Sequence, residues 1–154
     1  MDLTEFQSLV EGNSEWFRGV HPETPESIAA AEGVIGFPLP RSMRWLLQNW
    51  GYSSVCGIEA LDQAVATTVR CRQSMCLPLF YLILMDWGDA GVVYLESDMA
   101  VDSDDWPVRW VGVHNMYRLA AGEPMDSDCD TFAGFGEWVA NCLSVAKDRS
   151  TQLE

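Results

Sequence analysis

The stretch IGFPLPRSMRWLLQNWG, Ile35 to Gly51, restricts the fold more than any other part of the chain. Proline fixes its own φ and holds the residue before it extended, so Pro38 and Pro40 make Phe37 to Pro40 a stiff, extended link. Such a link must join two elements, because it cannot lie inside a helix. Behind it Met43, Leu46, Leu47 and Trp50 stand at i, i+3, i+4 and i+7. That spacing predicts a helix with one buried face, opened by Pro40 and stopped by Gly51. Trp45 falls on the side shared with Arg41 and Gln48, so it is either covered by another element or a contact residue. Ahead of the link, Thr24 as cap, Pro25, Glu26 and the stripe Ile28, Ala31, Ile35 predict a helix that Gly36 stops.

The same reasoning extends in both directions. Leu3, Phe6, Leu9 and Val10 predict an amphipathic helix over residues 2 to 11, ended by Gly12-Asn13. Leu61, Ala64, Val65 and Thr68 predict another over Leu61 to Arg72. The period then changes. Pro78 to Trp87, Gly91 to Ser97 and Pro107 to Val113 are rich in aromatic and β-branched residues and bounded by Gly, Asp, Ser and Pro, which predicts three strands. WGDAG, Trp87 to Gly91, is short enough to make the first two antiparallel neighbours. Phe132, Phe135, Trp138, Val139 and Cys142 predict a closing helix over about residues 132 to 146, capped by Thr131 or Asp130. Helices, a small antiparallel sheet and a last helix make an α+β fold. A chain of 154 residues suits one domain.

Charge narrows the function. Against 23 acids stand nine bases, and the formal net charge is −14. No Lys or Arg occurs between Gln73 and Val108 or between Leu119 and Ala146, where Asp86, Asp89, Glu96 and nine further acids lie. This field repels phosphate backbones and anionic membranes and attracts basic proteins, so direct nucleic-acid and membrane binding are not expected. The longest apolar run, Leu77 to Met85, is too short to span a bilayer. The start, with Asp2 and Glu5, has the wrong charge for a signal peptide. Five cysteines without a CxxC pair predict reduced and mostly buried thiols, with neither a disulfide framework nor a zinc site. Together these features predict a cytoplasmic protein.

Several motifs in this order resemble a known superfamily. Glu32 and Gly36 in PESIAAAEGVIGFPLP, Leu39-Pro40, Gly51, Gly88-Asp89 and Gly91 in GDAGVVYLES, and Pro107-Val108 in PVRWVG match the pattern of the SUKH (SMI/KNR-type) superfamily. The resemblance is strongest over residues 25 to 139. One departure is the run Val111 to Asp130, which is longer and more acidic than the pattern. The superfamily holds bacterial immunity proteins against polymorphic toxins and fungal regulators of cell-wall synthesis. The resemblance implies a SUKH-like domain that binds one toxin domain and neutralises it by covering or displacing its active site. Charge agrees, because toxins that act on nucleic acid are often basic and an acidic inhibitor gains steered association. The expected contact surface is Glu96, Asp98, Asp102, Asp104, Asp105 and Trp106 together with Asp126, Asp128 and Asp130; Trp45 is a further candidate. The alternative is an intracellular interaction module without a toxin partner.

Enzyme and metal readings are weaker. His21 and His114 sit in no triad, elbow or metal-ligand motif, and there is no Gly-rich phosphate loop. Asp86 and Asp89 fit turn chemistry. DSDCDTFAGFGE, Asp126 to Glu137, has the carboxylate register of an EF-hand loop, but position 6 is Thr131 where the sharp turn needs Gly, and the Phe132 stripe needs its own helix. No catalytic residue, cofactor or metal is expected.

Overall fold

A computed structural model describes residues 1–97, 105–125 and 129–153. The elements follow in the order α1 (Leu3–Glu11), α2 (Ser14–Phe17), α3 (Pro25–Ile35), α4 (Arg41–Asn49), α5 (Leu61–Met75), β1 (Tyr81–Asp86), β2 (Val92–Glu96), β3 (Val108–Val111), α6 (Val113–Ala121), β4 (Cys129–Phe132) and α7 (Phe135–Gln152). The architecture is α+β, as the periodicities predict. No helix among the described residues is long and apolar enough to cross a membrane.

Local chemistry explains the helix ends. Asp2 and Glu5 form a reciprocal capping box on α1, and Thr24 and Ser27 do the same on α3. Gly36 closes α3 in the left-handed region at φ 94°. The extended link follows, and Glu32 reaches across it to accept a hydrogen bond from the Leu39 backbone N–H at 2.5 Å. Met43, Leu46 and Leu47 of α4 are fully buried. Trp45 is half-buried, and its ring meets Phe6 of α1 edge-on at 6.1 Å. It is therefore covered by another element.

The four strands form an antiparallel sheet in the order β1-β2-β3-β4. A short 3₁₀ turn, Gly88–Ala90, joins β1 to β2. Alternation along the strands sends Leu82, Val93, Leu95 and Val108 to one face, against α1, α3, α4 and α7. Tyr81, Ile83, Val92, Tyr94 and Val111 go to the other face, where Met116 and Leu119 of α6 cover them. Thr68 pins α5 to β1: its hydroxyl donates to the Ala64 carbonyl and accepts from the Ile83 N–H.

The run between Val111 and Asp130, which departs from the SUKH pattern, holds α6 and β4. The last helix also begins later and ends later than its stripe predicts. Asp130 and Thr131, expected as its caps, lie in β4 instead, and the cap position is Gly134, which has no side chain to offer. The acceptor comes from a remote loop: Asp105 receives hydrogen bonds from the Phe135 and Gly136 backbone N–H groups. A Cβ at Gly134 would overlap that carboxylate, so glycine leaves room for it.

Candidate functional site

The sheet face that carries Val108 runs out from under the helices at its β3–β4 end and becomes one wall of a cleft. Trp110 of β3 and Asp130 and Phe132 of β4 share this face by strand alternation. Met85 and Trp87 at the end of β1 extend it, and Trp138, Cys142, Val145 and Arg149 of α7 form the opposite wall. The cavity volume is about 760 Å³. Three tryptophans thus converge from a turn, a strand and a helix.

Each indole is held differently. Trp138 donates its Nε1–H to the Gly57 carbonyl at 2.8 Å and is almost wholly buried. Gly57 sits at φ 81°, and a Cβ there would press on the Trp138 ring. Trp110 donates to the Ala90 carbonyl at 3.0 Å, which ties β3 to the β1–β2 turn. Trp87 remains 46% exposed, with its ring 6.3 Å from that of Trp138. Phe132 packs on Trp138 at 5.1 Å. Hydrogen bonds and ring packing thus fix Trp110 and Trp138 in the walls, and the mouth is aromatic. Cys142 lines the cleft as a free thiol, and burial pushes its pKa up to about 12, so it is protonated and a poor nucleophile near neutral pH. A second hollow lies on the far side of Trp110, lined by Asp89, His114 and the 64% exposed Tyr117.

The sequence-derived contact residues separate in space. Asp130 lies in the cleft beside Trp110. Glu96 points to the opposite sheet face and pairs with Arg109 at 3.4 Å. Trp106 is only 4% exposed and packs edge-on against Phe37 at 5.9 Å, so it belongs to the core and offers no surface. Asp105 is an internal anchor for α7, and burial raises its carboxyl above the usual range against the pull of three backbone N–H groups. Trp45 is a packing residue, as described above. Asp98, Asp102, Asp104, Asp126 and Asp128 fall outside the described residues.

The remaining chemistry is sparse. His21 and His114 are both exposed, and His114 opens on the second hollow. Asp86 accepts from the Gly88 N–H, which is the turn role expected of it, and pairs with Arg70 at 3.5 Å. Among the described residues no group of three His, Cys, Asp or Glu is placed to hold a metal ion. Of the calcium-loop register, Asp130 and Thr131 are extended in β4 and Glu137 is helical in α7, so these positions do not form one loop. Sequence reasoning missed the cleft, because its walls bring Ser54 together with residues between 85 and 153. The available signal was the excess of tryptophan beyond what each predicted face needed.

No protein-family model matches the chain. The chain is 24% identical over 157 residues to GTPase Der of Limosilactobacillus fermentum (strain NBRC 3956 / LMG 18251), an alignment covering 93% of this chain and 36% of that protein. It thus spans about a third of that relative's length. A likeness at this identity and coverage assigns no family.

Proposed function

We propose that the protein is an immunity-type binding protein of the cytoplasm, which captures one basic toxin domain and neutralises it by covering or displacing the toxin's active site. The observation that carries this reading is the tryptophan-lined cleft with Asp130 in its wall, on a chain of net charge −14. Exposed aromatic side chains supply large contact area at interfaces, and the acidic field steers a basic partner toward them. Asp86 and Asp89 flank the same end of the sheet. The resemblance to the SUKH superfamily supports the same conclusion. The proposed role is binding, and it calls on the cleft for contact surface alone.

Co-expression with a panel of basic nuclease, deaminase and ADP-ribosylating toxin domains tests this. Rescue of the host from one of them, with recovery of the pair as a complex, is the expected result. Rescue from none, with no complex recovered, would favour an interaction module that works without a toxin. Reversal of Asp102 and Asp104 to Lys, which spares the anchor Asp105, should slow association several-fold at low salt and little at high salt. An unchanged association rate by stopped-flow fluorescence would remove Asp102 and Asp104 from the interface.

The likeness to a GTPase raises a second reading, nucleotide hydrolysis, which the sequence does not support. Phosphate-binding loops place a lysine directly after a glycine-rich turn. Here the single lysine, Lys147, lies inside α7 after an alanine, and no such loop precedes it. Titration with a fluorescent GTP analogue should therefore show no saturable binding.

A further inference from the structure

We infer that the cleft between the Trp110–Asp130 pair and α7 takes the guanidinium or ammonium side chain of an arginine or lysine from the partner protein. This rests on the reading above and names the group that anchors the partner. Trp110 and Asp130 are direct cross-strand partners on one sheet face, so their side chains stand about 5 Å apart at the base. A carboxylate next to an indole supplies the two groups that a cation site needs. The ring quadrupole attracts the charge over its face, with tryptophan the strongest of the aromatic side chains, and the carboxylate pairs with it.

The other walls support the same occupant. Trp87, Phe132 and Met85, backed by the buried Trp138 ring, cover the long apolar stem that Arg and Lys carry behind their charge. A volume of about 760 Å³ holds such a side chain together with the backbone that presents it. A purely apolar occupant would take water from the Asp130 carboxylate and offer it no polar group in return. An anionic occupant would enter against a protein of charge −14. Among the described residues of the lining Arg149 is the one base, and it lies on the α7 wall. It repels a cation at its own side, so it directs the incoming charge to the strand wall.

The isolated protein, ¹⁵N-labelled, would be titrated at low salt with a blocked tetra-arginine peptide, with tetra-citrulline as the neutral isostere, and with tetra-glutamate. Saturable shifts of the Trp87 and Trp110 indole N–H resonances with tetra-arginine, and none with the other two, are expected. Asp130→Asn and Trp110→Leu should each weaken binding about ten-fold. Asp130 is exposed, so Asp130→Asn tests the charge without disturbing the core. Equal shifts with tetra-citrulline, no saturable shift at either indole, or unchanged affinity in Asp130→Asn would overturn the inference. The toxin reading fails separately. If tetra-arginine binds the cleft but no toxin is neutralised, the cation site stands and the immunity role falls. If the wild type and both variants protect equally against a toxin, the immunity role stands and the cation site falls.

Discussion

Asp105 anchors a helix that begins thirty residues later in the chain. With glycine at the cap position, α7 has no local acceptor for its first N–H groups, and the Asp105 carboxylate satisfies two of them. Asp105→Ala should therefore cost about 1–3 kcal/mol, read as a lower urea midpoint with an unchanged slope. The pH dependence has a definite sign. Burial raises the folded-state pKa of this carboxyl above its ordinary value, so its contribution is complete below about pH 4 and declines as pH rises through the folded value. The stability gap between wild type and Asp105→Ala should narrow from pH 4 to pH 7; a widening gap would contradict this. From sequence alone Asp105 looked like one more acid of a contact loop, because nothing within that loop reveals the helix end it meets.

The elements differ in how plainly the sequence announces them. β1, β2 and β3 were legible because runs such as YLILMD and VVYLE carry β-branched and aromatic residues between turn signals. β4 was not. CDTF is four residues long, polar, and at the sheet edge, so pairing with β3 alone makes it a strand. α6 was also missed within the acidic run, although Met116 and Leu119 are spaced for one face and Gly122 follows as a left-handed stop. The β1–β2 connection illustrates how tightly an element can depend on one backbone position. Gly91 sits at φ 98°, and a Cβ there would overlap the Val111 carbonyl of β3. Gly91→Ala should cost at least about 2 kcal/mol, because strain and clash act together. Chemical denaturation measures this, with Gly33→Ala as a control, since a Cβ at Gly33 meets nothing.

Across the whole molecule, burial acts on thiols and phenols in one direction. It raises Cys142 from an ordinary 9.0 to about 12, and it also raises Cys56, Tyr52 and Tyr94. These groups keep protons that the unfolded chain releases, so their contribution is complete below about pH 8.5 and is lost as pH rises through the folded values. Thermal melts should therefore show stability falling steadily from pH 8.5 to pH 11. At pH 8, Ellman's reagent should modify exposed Cys76 well before buried Cys56 or half-buried Cys142, whose pKa is raised; equal rates would contradict this.

The helices around the double-proline link, the three apolar strands, the α+β class and the acidic field are all legible in the chain, because each depends on spacing or composition within a short window. Folding in three dimensions settles which described acids are surface and which are anchors, that Trp45 and Trp106 are packing residues, and that Trp87, Trp110 and Trp138 share one cleft. Those outcomes depend on which remote segments come to lie together. Burial and pairing are properties of that meeting, and no local pattern carries them.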